Sequence, residues 1–152
     1  ADPDVDVVVV TPHWGPNMVE APLPHVRRVA GELLDAGATL VAGHSAHVFH
    51  GVVDRVLYDL GDFLDDYAVD PVLRNDLGLL VVVTIEGRVP TRVEAVPIAL
   101  DCCHTRLADP DEWAWIADRF RRACAALGTD THVHDGRLVV EWGSAPTPSA
   151  AR

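Results

Sequence analysis

The sequence predicts an α/β fold, and three features carry the prediction. Residues 5–42 read as strand, helix, strand. Residues 77–100 read as a long antiparallel hairpin. Asp109-Pro110-Asp111-Glu112 marks the start of a second helix.

Residues 5–11 are a nearly continuous apolar and β-branched run, the pattern of a strand covered on both faces. Domains seldom begin on a buried central strand, so an earlier part of the fold is expected to be missing from this chain. A helix follows over residues 25–36, with Val26, Val29, Ala30, Leu33 and Leu34 on one face and Gly37 as the residue that ends it. A strand over 39–42 comes next, and a strand–helix–strand unit implies that its two strands are parallel. Residues 55–60 read as a strand ending at Gly61, and 62–76 as an acidic loop containing Pro71. The two long β segments, 77–86 and 89–100, turn at Glu86-Gly87-Arg88. In the second helix, Asp109 caps, Pro110 takes the first position and two acids lie at the positive end of the dipole; it runs to about residue 127, before Gly128. Val133 and residues 138–142 form a last hairpin turning at Asp135-Gly136. The Ser-, Ala- and Pro-rich residues 143–152 read as a disordered tail behind a domain spanning 1–142.

Composition bounds the function. Hydrophobic residues make up 49% of the 152, enough for one real core, and the net charge is −11. All 12 basic residues are Arg. The clusters Arg27-Arg28 and Arg119 with Arg121-Arg122 fall on the helices and read as solvated faces, so nucleic acid is not an expected partner. The longest apolar run, residues 7–10, is far too short to span a bilayer, and the compartment stays open between cytoplasm and cell surface. Cys102 and Cys103 are neighbours and poorly placed for an ordinary disulfide; with Cys124 they read as reduced, packed thiols.

The residues with chemistry to offer are histidines. His13 follows the first strand, while His44 and His47 follow the second in Gly43-His44-Ser45-Ala46-His47. Both loops lie beyond the carboxyl ends of parallel strands, where open α/β sheets place their sites. Neutral imidazole is a common nitrogen ligand for zinc and related divalent ions, and Gly43 allows close approach of the backbone. A single histidine is more often packed or at the surface; two histidine-bearing loops at adjacent strand ends are a stronger signal. His50 reads as a strand-surface residue or a support to the site, and His132 and His134 as an exposed pair sharing one face. His104, beside Cys102 and Cys103, has no partner at zinc-finger spacing. Of Trp113 and Trp115, at least one packs the helix on the sheet, and Trp14 walls the site.

Four motifs in order, His13-Trp14-Gly15, Leu33 to Ala38, Gly43 to Val48, and Leu57 to Phe63, resemble the CapA-type (poly-γ-glutamate capsule synthesis) family, which shows HWG, a helix ending in DAGAD, GHHPHV and YSLGNF. The similar stretch covers about residues 5–66 and resembles the C-terminal part of that family. The resemblance implies a calcineurin-like metallophosphatase fold: a two-sheet α/β sandwich with flanking helices, here lacking its N-terminal portion. It implies His13, His44 and His47 as metal ligands and catalytic roles for His13 and His44. The cofactor would be a divalent metal (Mn, Mg, Zn or Fe), dinuclear in the intact protein, and the partner a small-molecule or polymer substrate. Such ions polarise a phosphoryl-type oxygen and activate a hydroxide, and a nearby histidine can protonate the leaving oxygen. Asn17 stands where the family has Glu, Asp59 where it has Ser and Asp62 where it has Asn; Asp62 reads as a loop cap or a catalytic carboxylate. The family's first-half ligands have no counterpart in this chain. Three functional readings follow: a metal-dependent phosphoesterase-like hydrolase or capsule-synthesis factor, a non-catalytic scaffold or binding module that keeps the fold, and a mononuclear zinc hydrolase on three histidines.

Overall fold

The computed structural model describes residues 7–66 and 68–143. The expected tail falls, apart from Gly143, outside these residues.

The first sheet is built around the strand–helix–strand unit. Strand β1 (Val9–Val10), helix α1 (Pro24–Asp35) and strand β2 (Leu40–Ala42) follow in order, and β1 pairs with β2 in parallel, with Val9 opposite Leu40. Gly37, at φ +103°, turns the chain out of α1. Strands β3 (Val52–Val53) and β4 (Val56–Leu57) complete the sheet in the order β1-β2-β4-β3, with β4 parallel to β2 and β3 antiparallel to β4. The strand expected over 55–60 is therefore only two residues long. Its β3 partner has no sequence signal, because the β3–β4 turn places Asp54 and Arg55, rather than glycine, at φ +41° and +63°.

The second sheet is antiparallel. Strands β5 (Leu77–Glu86) and β6 (Val89–Leu100) have the bounds expected from the sequence. Strand β7 (Thr105–Leu107), whose three residues are at best half-buried and carry no apolar pattern, pairs with the far end of β6. Helix α2 (Pro110–Ala125) follows, then β8 (His132–His134) and β9 (Arg137–Glu141). The order is β5-β6-β9-β8, with β7 beside β6. The start of α2 is as expected: the Asp109 side chain accepts from the N–H groups of Asp111 and Glu112, and Glu112 accepts from the Asp109 N–H in return.

The sheets share one core. Leu40, Ala42, Phe49, Val52 and Leu57 from the first pack with Leu77, Leu79, Val93, Ala95, Leu138 and Val140 from the second and with Ile116, Phe120 and Cys124 of α2. Alternate residues of the short strands face the other way: Val41 and Val56 pack with Val26 and Ala30 of α1. The result is a mixed α/β structure of two sheets and two helices, compatible with a sandwich.

Three sequence expectations need correction. Strand β1 is not buried among the described residues: it stands at the margin of the sheet with β2 beside it, and Val9 is 48% exposed. A run of valines signals β structure, but by itself it does not fix the strand's place in the sheet. Arg119 does not lie on a solvated face; it is 7% exposed, with its guanidinium 5.2 Å from the Phe49 ring and 5.4 Å from the Trp115 ring, and it donates to the Leu73 carbonyl at 2.9 Å. Its aromatic neighbours shield a charge that composition alone would put in water. The cysteines divide: Cys124 is buried as expected, whereas Cys102 and Cys103 are exposed on a turn at φ +41° and +62°.

A candidate metal centre at the strand ends

The parallel strands run on past their regular ends and carry the histidine loops side by side. His44 N–H donates to the Pro12 carbonyl and Trp14 N–H to the His44 carbonyl, both at 3.1 Å, so His13 and His44 form an isolated parallel bridge. This fixes the two side chains as neighbours. Their Nδ1 atoms lie 3.3 Å apart, with the rings crossed at 68° and the centroids 5.0 Å apart. Two nitrogens on one tetrahedral ion, each at about 2.0–2.1 Å, stand roughly 3.3–3.4 Å from each other. The exposed pair thus has the spacing of two ligands on a shared cation.

The loop behind the pair is tightly held. Trp14 Nε1–H donates to the Tyr58 carbonyl at 2.8 Å and lies directly against Gly43, where no Cβ would fit. The Ser45 hydroxyl donates to the Trp14 carbonyl. Ser45 and His47 both have positive φ, +137° and +62°, a conformation non-glycine residues rarely hold without surrounding support. Asp59 supplies that support: its carboxylate accepts from Ala46 N–H at 2.8 Å and from Gly61 N–H at 3.0 Å, joining the histidine loop to the turn after β4. It is 4% exposed. Burial pushes its carboxyl above the ordinary range, against the opposing pull of those two N–H groups and of His50 and His44. The residue that departs from the family's Ser is thus a structural clamp.

His47 turns to other partners. Its Nδ1 lies 3.0 and 3.1 Å from the two carboxylate oxygens of Asp62, so Asp62 engages a side chain, not the backbone groups of a cap. Asp65 joins them: among the described residues, His47, Asp62 and Asp65 form a group whose donor atoms all lie within 4.8 Å of one another. Burial first, and then the hydrogen bond with Asp65, push the Asp62 carboxyl up to about 6, while His47 pulls the other way. The structure thus brings His13 and His44 together, and places His47 with Asp62, singled out above as a loop cap or catalytic carboxylate, and with Asp65, which the sequence leaves in an acidic loop. The signal for them was present as Asp62-x-x-Asp65, directly after the strand end at Gly61. His47 and Asn17 also line one open cleft, with Met18, Ala68 and Asn75.

The remaining candidates resolve simply. His50 is 5% exposed, so it is no surface residue; its Nε2–H donates to the Val19 carbonyl at 2.8 Å, and burial holds the ring below its ordinary pKa. His132 and His134 are exposed on β8, as expected, and His104 sits exposed in the turn with the two exposed cysteines. Trp113 and Trp115 both pack against the main core, and Trp113 Nε1–H donates to the Gly136 carbonyl at 2.9 Å. No helix among the described residues is long and apolar enough to cross a membrane.

Comparison with known proteins converges on one group. Residues 1–67 match the family described as "Bacterial capsule synthesis protein PGA_cap". A "Probable polyglutamine synthesis accessory protein" of Mycobacterium tuberculosis (strain ATCC 25618 / H37Rv) is 26% identical over 134 residues, covering 81% of this chain and 35% of that protein. The "Capsule biosynthesis protein CapA" of Bacillus anthracis is 34% identical over 67 residues, covering 41% of this chain and 16% of that protein. The "PGA biosynthesis protein CapA" of Bacillus subtilis (strain 168) is 37% identical over 67 residues, with coverage of 40% and 17%. The chain therefore matches about a third, or less, of the length of these relatives. His13, His44, His47, Asp62 and Asp65 all fall within the stretch matched by the family.

Proposed function

We propose, from the match of residues 1–67 to the capsule synthesis family and to the CapA proteins, that the chain is part of a metal-dependent, phosphoesterase-like hydrolase on a metallophosphoesterase-type sandwich. In its full-length form it would serve capsule or polyglutamate synthesis. The reading rests on the 3.3 Å separation of His13 Nδ1 and His44 Nδ1 at the carboxyl ends of adjacent parallel strands.

The residues fit a divalent ion of the Mn, Mg, Zn or Fe kind. Paired imidazoles and an imidazole–carboxylate group are borderline and hard donors suited to those metals. His13 and His44 would hold one cation, and His47 would take part in holding a second. Bound there, a divalent ion supplies Lewis-acid polarisation of a phosphoryl-type oxygen and an acidified water. The chain's own contribution is placement. Backbone pairing of residues 12–14 with 44 fixes two rings, Asp59 holds the loop that carries His47, and Trp14 walls the rear of the site. His13 and His44 are exposed, so a cation held between them would be open to a substrate oxygen. At net charge −11 the chain repels a polyanion such as polyglutamate, and a cation at these loops is the attractive element such a substrate would need.

A non-catalytic scaffold is the rival reading, and one observation favours it: Asp59 is wholly engaged in backbone hydrogen bonds. The two separate on a phosphomonoester or phosphodiester reporter with added Mn²⁺. The hydrolase reading expects turnover by the intact protein that His13→Ala and His44→Ala each lower by about a hundredfold or more, in line with loss of a catalytic group. Turnover that both variants leave unchanged, or metal uptake that neither reduces, rejects it.

A further inference from the structure

We infer that His47, Asp62 and Asp65 form a divalent-cation site of their own, distinct from the His13–His44 pair. The inference deepens the hydrolase reading and rests on it for its functional meaning.

Geometry is the first ground. One donor atom from each of the three residues falls within 4.8 Å of the other two, and His47 Nδ1 is 3.0 Å from an Asp62 oxygen, a spacing compatible with adjacent positions around one ion. The set mixes imidazole with two carboxylates, and all three side chains are half-buried.

The framework around the group is the second ground. Asp59 fixes the His47 loop and the turn before Asp62 together through Ala46 and Gly61. The segment between Asp62 and Asp65 is tied to the β6–β7 region at two points: the Thr105 hydroxyl donates to the Phe63 carbonyl, and Cys103 N–H donates to the Asp65 carbonyl at 3.0 Å. Both carboxylates are thus carried on anchored backbone. Access is present from two sides. His47 opens on the cleft it shares with Asn17, and Asp65 lines a second opening together with Asp66, Asp76 and Asn75. Asn75 borders both openings.

The donor sets differ in a way that predicts metal preference. The His13–His44 pair offers nitrogen only and favours Zn²⁺, whereas a set of two carboxylates and one imidazole is harder and accepts Mn²⁺ more readily. In the intact chain, Mn²⁺ binding followed by calorimetry and by the paramagnetic resonance of the bound ion should therefore report the carboxylate site. Asp65→Asn and Asp62→Asn are each expected to weaken Mn²⁺ binding about tenfold or more, with Asp65→Glu restoring part of the loss. Thermal unfolding of the metal-free variants verifies that each is folded; neither substitution removes a backbone hydrogen bond named above. Mn²⁺ binding that is the same in Asp65→Asn and in the parent chain overturns the inference, as does a parent chain that takes up no Mn²⁺. The outcomes separate the two claims. Loss of metal in His13→Ala and His44→Ala but not in Asp65→Asn leaves the hydrolase reading standing without this site. Loss in Asp65→Asn but not in the His13 and His44 variants leaves this site standing and removes the paired-histidine ligands.

Discussion

A methyl group at residue 43 would collide with Trp14 Nε1 and the Tyr58 carbonyl, the two atoms whose hydrogen bond closes the back of the site. Gly43→Ala should therefore lower stability by about 1–3 kcal/mol, through overpacking against a backbone carbonyl that has no room to move. Chemical denaturation of the metal-free variant measures it, and an unchanged midpoint would mean that the loop is looser than described. Asp62 supplies a pH signature. Its carboxyl titrates near 6 in the folded chain and near 3.8 when unfolded, so over this interval the folded state holds the proton more tightly. Stability from this group is fully present below about pH 4 and is lost as pH rises through about 6. In metal-free buffer, the stability of Asp62→Asn relative to the parent should rise between pH 4 and 6 and then level off. A difference that stays flat across that range would show an ordinary, unshifted carboxyl. What the sequence disclosed at this scale was uneven. His13 and His44 were legible because each follows a strand within a recognisable motif. Asp65 was not, because an acidic loop looks the same whether its carboxylates face water or each other. The burial of Arg119 and His50 was equally hidden, since it depends on Phe49, Trp115 and Val19 arriving from distant parts of the chain.

Among the elements, those with strong local chemistry appear where the sequence placed them. Strands β5 and β6 have the expected bounds, and α2 starts at a complete capping box with Pro110 behind the cap. Asp109→Ala removes a side chain that accepts from two backbone N–H groups and should cost about 1 kcal/mol, seen as a small shift in the unfolding midpoint with no change in metal uptake. A shift of zero would mean that tertiary packing alone holds the first turn of α2. Elements set by pairing were harder to read. The turn between β3 and β4 uses Asp54 and Arg55 in a conformation usually marked by Asn-Gly, and β7 is three exposed or half-exposed residues held by β6. The valine run of β1 announced a strand but not its position at the margin of the described sheet.

For the molecule as a whole, the two sheets converge on a core shared with α2, and that core sets the strand ends and turns from which the histidines and carboxylates project. Phe49 belongs to it and forms a bridge with Leu60, so the loop carrying His47 and the turn leading to Asp62 are fastened to the same apolar interior. A rigid floor of this kind lets five side chains from two loops and a turn hold fixed separations. The family match covers the first sheet and every proposed ligand, while β5 to β9 and α2, which supply the rest of the shared core, lie beyond it. The claim on which the rest turns is that these loops bind divalent cations, and anomalous scattering from crystals of the chain grown with Mn²⁺ or Zn²⁺ tests it most directly. We expect a metal peak joined to His13 Nδ1 and His44 Nδ1, with a second bounded by His47, Asp62 and Asp65. Well-ordered side chains at both positions with no anomalous density between them would contradict it.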